Sequence, residues 1–303
     1  SLSSKLLNEG TNELGATKFA QKLEENAISL AASNGFETFV IELSNLKEQS
    51  KKGIELLTAL LKSPNYTQDT LNKLKTMQTG SLKRKENDFD YVANNQLKSV
   101  LFKGTTLENS AAGTIESISK IELKDIENFI SQTVCLENLI IVAGGDFELK
   151  EFEKLVKPLL ETLNVGKKAQ LEEVNFISKK EEKVLIKDTQ QAYIYFGSSF
   201  NINSKDEENY KAKVASFILG GSGFGSRLME EIRVKRGLAY SAYGSISINK
   251  SHSYFNGYLQ TKNESADEAK KLVGEIIENF VEVGVTQEEL SAAKNFLTGS
   301  EPL

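Results

Sequence analysis

The chain has 303 residues, which is long enough for two domains and for a well-buried core without disulfide bonds. Apolar residues make up 39% and charged residues 26%, and 37 basic against 42 acidic side chains, interspersed along the chain, give a net charge of −5. This composition is typical of a globular protein and excludes nucleic acid as the main partner, because a phosphate-binding face needs a basic excess; a membrane span is excluded because no run of about 18 apolar residues occurs.

The first part of the chain predicts one helix, two strands and two long helices, with helical character extending to about Phe102. Cys135, the only cysteine, lies in TVCLENLIIV and is predicted as a buried thiol in a strand, and one cysteine leaves the redox compartment open. Asp146 is interpreted as a turn or cap residue rather than a catalytic acid. Three further elements are predicted: a helix from Leu123 to Thr133, a strand from Leu139 to Ala143 and a helix from Leu149 to Leu163.

A charged run from Gly166 to Lys183 is interpreted as a solvated linker. Four strands are predicted after it: Val184 to Lys187, Ala192 to Ser198, Ala239 to Ile248 and Ser253 to Thr261. His252, the only histidine, is interpreted as an exposed residue of the connection between the last two strands.

Two helices close the chain. Ser265 with Glu268 forms a capping-box pattern, and the helix behind it has an apolar face. That face comprises Ala269, Leu272, Val273, Ile276 and Phe280. Gly284 ends this helix, and Thr286 with Glu289 is predicted to cap the next one.

The chain shows signs of a tandem duplication. TQDTL at Thr67–Leu71 and TGS at Thr79–Ser81 recur as TQEEL and TGS at 219 positions further on, from Thr286 and from Thr298, and Phe36 matches Phe255 at the same separation. We therefore predict a first domain of residues 1–165, a linker of residues 166–183 and a second domain of residues 184–303. Since the first strands of the second domain have no counterpart before Ser1, and the second copy stops early, we expect a longer protein clipped at both ends, whose missing start can hold a targeting segment.

The most distinctive motif is a glycine-rich run, GGSGFGSR from Gly220 to Arg227, followed by LMEEIRVKRGLAYSAY. Together with LLNEGT from Leu6 and IIVAGGDF from Ile140, it resembles the pitrilysin/insulinase family of metallopeptidases, in its bacterial and mitochondrial processing-peptidase branch. The resemblance implies an α+β fold of two tandem homologous domains. Each would be a mostly antiparallel sheet packed with helices, a metallopeptidase-like α/β roll.

Active members of this family carry H-x-x-E-H on a helix before a Gly-Thr pair, where the histidines bind zinc and the glutamate is the general base. Here the pair Gly10–Thr11 places that motif on SLSSK, Ser1 to Lys5. The region of the third ligand, near Gln78 to Leu82, holds no carboxylate, and Lys5 puts a cation where a metal would bind. The resemblance therefore implies no cofactor in this chain, with zinc expected in a partner.

The resemblance also implies an arginine and a tyrosine, seven residues apart, that contact the substrate; Arg233 and Tyr240 have that spacing. The tyrosine would donate a hydrogen bond to the developing oxyanion, and the arginine would hold a substrate carbonyl or share that role. The alternative is that Arg233 complements a helix C-terminus, as Arg236 is predicted to do, and that Tyr240 and Tyr243 are ordinary strand aromatics.

Four glycines of the run are candidate contacts for an extended peptide substrate: Gly220, Gly221, Gly223 and Gly225. The run lacks the residues of a phosphate-binding loop. Its alternative role is a tight turn.

Three hypotheses follow. The first is a zinc-less, substrate-binding and rate-assisting subunit of a heteromeric peptidase, active only with a zinc-bearing paralogous partner. The second is a structural or peptide-holding protein with no catalytic role. The third, a self-sufficient zinc peptidase with ligands before Ser1, is disfavoured by the Gly-Thr anchor. The compartment stays open; it is the cytoplasm or the periplasm if the protein is bacterial.

Overall fold

The computed structural model describes residues 1–35, 37–174, 176 and 179–300, so Phe36 and residues 175, 177, 178 and 301–303 lie outside the described part. The helices there are α1 (Leu2–Leu7), α2 (Gly15–Glu24), α3 (Ser50–Lys62), α4 (Gln68–Lys85), α5 (Phe89–Leu101), α6 (Ile115–Lys120), α7 (Leu123–Thr133), α8 (Leu149–Leu160), α9 (Asn209–Ser216), α10 (Arg227–Met229), α11 (Ala266–Val283) and α12 (Gln287–Ser300). The strands are β1 (Ser29–Asn34), β2 (Phe39–Ser44), β3 (Gln191–Ser199), β4 (Ala239–Ile248) and β5 (Ser253–Lys262).

The strands form two antiparallel sheets, β1–β2 and β3–β5–β4, which confirms the predicted α+β class. Among the described helices, none combines the length and the apolar character needed to cross a membrane.

Contacts divide the chain into two compact units. Unit 1 comprises Ser1–Arg84 and Ala111–Gln170, and unit 2 comprises Lys85–Ser110 and Leu171–Leu303. The segment Lys85–Ser110 lies within the predicted first domain, residues 1–165, but the structure groups it with unit 2.

This segment belongs to unit 2 because α5 packs on β3. Methyl groups of Leu97 and Leu101 lie 3.5 Å from the position that a Cβ would take on Gly197, which is ordinary van der Waals contact between the helix and the strand. The Tyr195 hydroxyl also donates a hydrogen bond to Asp90 Oδ1 over 2.9 Å. The position of α5 between two unit 1 helices in the sequence gives no sign of this long-range packing.

In unit 1, the hairpin β1–β2 packs against helices whose apolar residues recur every three or four positions. In α3 these are Leu56 and Leu60, which join Leu7, Phe19 and Ile28 in one cluster. A separate cluster connects α1, α4, α6 and α7; its buried residues are Leu2, Leu6, Leu71, Leu74, Ile118 and Ile126.

In unit 2, α11 covers the buried face of the three-stranded sheet. Every second residue of β5 is buried, and Phe255 and Leu259 project into the cluster that the apolar face of α11 completes. That face is the predicted one: Ala269, Leu272, Val273 and Ile276 are buried, and Phe280 packs against them.

One predicted helix cap of unit 2 is confirmed and one is wrong. Thr286 Oγ1 accepts from the Glu289 amide over 3.1 Å, and the Glu289 carboxylate accepts from the Thr286 amide over 2.7 Å. At α11 the Ser265 side chain makes no cap hydrogen bond, because it ends a 3-10 turn with φ −101° and ψ 0° instead of the extended backbone that a capping serine needs. Gly284 ends α11 at φ 81°, as predicted.

Arg227 and Glu289 form a two-point ion pair, Nε to Oε1 over 2.6 Å and Nη2 to Oε2 over 2.7 Å. Hydrogen bonds from Arg227 lower the pKa of the Glu289 carboxyl from 4.5 to about 2. The ionised Glu289 carboxylate therefore stabilises the folded state above pH 4.5, and this stabilisation is lost as the pH falls towards 2.

We expect Glu289→Gln to lower the free energy of unfolding at pH 7 by about 1–2 kcal/mol, because it removes a charge-assisted hydrogen-bond pair. The difference from the unsubstituted protein should shrink between pH 4.5 and pH 2, measured by urea unfolding. Glu288→Gln, on the exposed side of the same turn, is the control and should change little. An equal loss at pH 7 and pH 2.5 would contradict the assignment.

Two predicted strands are wrong. In the described part of the chain no strand pairs with residues 139–143 or 184–187, and Val142 and Ile186 are 91% and 93% exposed. A strand needs a neighbour for its backbone hydrogen bonds, which an apolar run cannot reveal by itself.

Cys135 is buried as predicted, but it precedes a 3-10 turn rather than lying in a strand.

The prediction for His252 is also wrong, because the residue is 6% exposed. Its ring stacks on Tyr254 with centroids 5.5 Å apart and meets the Phe102 ring edge-on at 5.4 Å. Its Nδ1 lies 2.9 Å from Ser251 Oγ. The polar Ser-His-Ser context indicates a surface loop, whereas burial comes from Phe102, which is distant in the sequence.

Most of the predicted linker is exposed, as expected, but its backbone is anchored. Three contacts hold it: the Ala169 amide donates to Asn138 Oδ1 (2.7 Å), the Val174 amide to the Ser251 carbonyl (2.8 Å), and Lys270 to the Glu182 carboxylate (2.8 Å). It is therefore not a free tether along its whole length.

Candidate functional site

A short helix of unit 2 positions Arg233. Ser226 is its N-cap, with Oγ accepting from the Met229 amide over 3.4 Å and donating to the Gly223 carbonyl over 2.7 Å. The helix α10 continues as a π-helical turn, Glu230–Val234. Because Leu228 and Ile232 are fully buried, Arg233 is carried on the outer side of its last turn.

A tight exit from this helix brings Tyr240 back towards Arg233. The Gly237 amide donates to the Arg233 carbonyl over 2.9 Å, and Gly237 has φ 62°, a conformation that favours glycine. The Leu238 amide then donates to the Ile232 carbonyl, and the chain enters β4 at Ala239.

The structure brings Arg233 and Tyr240 into direct contact. The Arg233 guanidinium carbon lies 4.3 Å from the centroid of the Tyr240 ring, within the range of a cation–π interaction. Tyr240 is 80% exposed, so its hydroxyl faces solvent and can reach a ligand. The strand edge thus presents a cation and a phenol side by side.

Phe224 is a third member of this cluster and was not among the residues predicted for the site. Its ring centroid lies 4.6 Å from the same guanidinium carbon, and the residue is 63% exposed. The sequence does contain a signal for Phe224: an aromatic residue between two glycines in a loop is not part of an apolar helix or strand face. Such a residue is therefore a candidate for an exposed contact.

The charges next to the cluster are paired with each other. Glu231 binds Lys235 and Arg236, each over 2.6 Å, and these hydrogen bonds lower the pKa of its carboxyl. Arg236 also donates to the Glu231 carbonyl over 2.9 Å, close to the helix end that it was predicted to complement. Within the described residues, Arg233 makes no ion pair.

The four candidate glycines have different surroundings. Gly220 is buried, and a Cβ on it would lie 2.3 Å from the Gly244 nitrogen, so its contact is with β4. Gly221 and Gly225 are exposed and Gly223 is half-buried with φ 63°. These three remain available for a ligand.

In unit 1, the positions that the resemblance assigns to a metal hold no ligand set. Lys5 of α1 donates a hydrogen bond to Gln78 Oε1 of α4, and Ser4 bonds Asn34. An ammonium group repels a metal ion, and serine and amide oxygens are poor zinc ligands. Among the described residues, no group of three or more His, Cys, Asp or Glu side chains could hold a metal. The residues therefore do not fit zinc.

We expect purified full-length protein to contain no stoichiometric zinc, because Lys5 and Gln78 occupy the expected ligand positions. Elemental analysis after dialysis measures this directly. A ratio near one zinc per chain that survives dialysis would contradict the prediction.

Comparison with known proteins gives a consistent family assignment. A family model described as the peptidase M16 inactive domain matches residues 120–297. The "non-peptidase homolog YmxG" of Helicobacter pylori is 47% identical over 302 residues, covering 100% of this chain and 70% of that protein. An "uncharacterized zinc protease YmxG" of Bacillus subtilis is 21% identical over 292 residues, with 96% and 70% covered.

Solved structures agree in fold. A peptidase M16 inactive domain from Pseudomonas fluorescens superposes with a TM-score of 0.94 at 24% identity, covering 99% of this chain and 73% of that one. A protease from Helicobacter pylori superposes with a TM-score of 0.83 at 19% identity, covering 98% and 73%.

Proposed function

Because the chain belongs to the peptidase M16 family, through the inactive domain of that family, we propose that it is the non-catalytic subunit of a heteromeric zinc peptidase. In this role it binds an extended peptide and uses Arg233 and Tyr240 to assist cleavage. A zinc-bearing paralogous subunit supplies the metal, the general base and the attacking water.

One observation carries the proposal. The Arg233 guanidinium and the Tyr240 ring are in contact at an exposed strand end, 4.3 Å apart, while the metal positions hold Lys5 and Gln78. This arrangement supports a chain that has kept the substrate contacts of the family and lost its metal. The name of the Helicobacter pylori relative, a non-peptidase homologue, supports the second part.

The two side chains have complementary tasks. The Tyr240 hydroxyl donates a hydrogen bond to the oxygen that becomes negative when water adds to the scissile carbonyl. Arg233 holds a neighbouring carbonyl or shares the developing charge. Such donors become effective when water is excluded, so the exposed Tyr240 acts only once a substrate and the partner cover it.

Glycine residues at the loop tip contribute backbone donors. Gly221, Gly223 and Gly225 are exposed or half-buried, and without side chains they let an extended peptide approach the loop backbone closely. Gly220 has a packing role against Gly244 instead.

Purification of the full-length protein from its bacterial host tests the proposal. We expect a paralogue with H-x-x-E-H to co-purify in a stoichiometric complex, identified by mass spectrometry and by size-exclusion chromatography. A homo-oligomer or a free monomer under conditions in which the paralogue is expressed would count against the proposal, and the structural or peptide-holding role would then be favoured.

A further inference from the structure

The short helix that carries Arg233, together with the two residues after it (residues 227–236), contains four cations. Three of them have a carboxylate oxygen 2.6 Å away: Arg227 with Glu289, and Lys235 and Arg236 with Glu231. Arg233 differs, because within the described residues its side chain has neither a carboxylate partner nor a hydrogen-bond acceptor. Its N–H donors are therefore unused by the protein.

The contacts that Arg233 does make keep these donors accessible. The guanidinium lies over the faces of Phe224 and Tyr240, and a cation–π contact uses the charge of the group rather than its N–H bonds. A guanidinium presents five donors in a planar fork, and a carboxylate matches two of them at once. A neutral carbonyl accepts less strongly and matches no such pair of donors.

The local charge favours an anion as well. Residues 227–236 together with Glu289, the partner of Arg227, carry four basic and three acidic side chains, an excess of one positive charge in a chain whose net charge is −5. A negative group is therefore not attracted by the protein as a whole. It is attracted near Arg233, over distances within the Debye length of about 8–10 Å.

Phe224 has the position of a residue that orients Arg233. It lies between Gly223, with φ 63°, and Gly225, in a loop that Ser226 fixes by its hydrogen bond to the Gly223 carbonyl. The exposed ring of Phe224 makes a cation–π contact with Arg233. This contact restricts the guanidinium to one region of the surface.

We propose that the peptide group held by Arg233 before cleavage is a carboxylate rather than a neutral carbonyl, either the C-terminal carboxylate or an Asp or Glu side chain, and that Phe224 is its positioning residue. This inference rests on the proposed function and narrows its substrate class to carboxylate-bearing peptides. Recognition is by direct contact, so it is measurable without the partner and without turnover.

The test uses four unlabelled, N-acetylated nonapeptides of one sequence without other acidic residues, which combine a free or amidated C-terminus with a central Glu or Gln. Binding to the full chain is measured by isothermal titration calorimetry. We expect a carboxylate-bearing peptide to bind about tenfold more tightly than the amidated Gln peptide, as for one charge-assisted hydrogen-bond pair. The free-terminus and Glu peptides show which carboxylate is recognised.

Variants assign the discrimination to these residues. Arg233→Gln should abolish it, whereas Arg236→Gln, at the cation paired with Glu231, should leave it intact. Phe224→Leu should reduce it and Phe224→Tyr should restore it, because tyrosine keeps the ring face. Binding of the amidated Gln peptide should be the same in all four variants.

Equal affinity for the four peptides overturns the inference, and so does a discrimination that survives Arg233→Gln. Failure of the chain to bind any of the four also overturns it. The first two results leave the proposed function intact, because it is judged by turnover of the reconstituted pair. Absence of binding to all four peptides would also count against its peptide-binding part.

Discussion

Tyr240→Phe is expected to lower kcat of the reconstituted pair by roughly 10²-fold, the usual cost of removing one donor to a developing oxyanion. The substitution keeps the ring and its contact with Arg233, so it isolates the hydroxyl group. Because the hydrogen bond strengthens only as the oxygen becomes negative, KM should change little. Steady-state kinetics with one peptide substrate measure both constants.

Tyr243→Phe is the matched control. Tyr243 also lies on β4 and is partly exposed, but its ring contact is with Tyr258. We expect Tyr243→Phe to change kcat of the reconstituted pair only slightly.

Arg233→Lys keeps the charge and loses the planar fork, so it should also impair turnover, whereas Arg236→Lys should not. Unchanged kcat in Tyr240→Phe would make the pair structural and would favour the peptide-holding role.

Gly220→Ala is expected to destabilise unit 2 by about 1–3 kcal/mol or more, the cost of overpacking a tight contact. The new Cβ would lie 2.3 Å from the Gly244 nitrogen and 2.7 Å from its Cα and oxygen. These are backbone atoms and cannot rotate away, so the π-helical turn Phe217–Gly221 must move off β4. Urea unfolding followed by circular dichroism measures the loss.

The control for this substitution is Gly225→Ala, in the same run. A Cβ there meets the Ser222 side chain, with Oγ at 3.4 Å and Cβ at 3.9 Å, and the hydroxyl can rotate away. Its stability should stay within about 0.5 kcal/mol of the unsubstituted protein. Equal stability of the two variants would show that Gly220 does not pack as described.

The elements that could be predicted are those whose signals are local. The helix Leu123–Thr133 and the strand Ala239–Ile248 have the predicted limits, since each has its own periodicity and stop signals. The failures depend on distant partners. Residues 139–143 have the composition of a strand but no described neighbour, and His252 is buried by Phe102.

The same distinction holds for the candidate site. The spacing of Arg233 and Tyr240 is a local property, and it correctly predicts one residue in the last helical turn and the other on the strand. The roles of Phe224 and Gly220 depend on where the loop folds. The Phe224 ring contacts Arg233, and the Gly220 backbone packs against Gly244. Neither contact can be predicted from the sequence.

The tandem duplication remains our proposal. The start of α4 supports it, since Thr67 Oγ1 accepts from the Thr70 amide over 3.2 Å. At the equivalent start of α12, Thr286 Oγ1 accepts from the Glu289 amide over 3.1 Å. We expect α3 to superpose on α11 when the two units are aligned on their capped helices.

Peptide cleavage by the chain, by its zinc-bearing paralogue and by the two together tests the central claim most directly. The account predicts no cleavage by this chain alone, and cleavage by the mixture that exceeds that of the paralogue alone by roughly 10²-fold, the contribution of the missing donors. Chelator-sensitive cleavage by this chain alone would contradict the account, as would full activity of the paralogue without it.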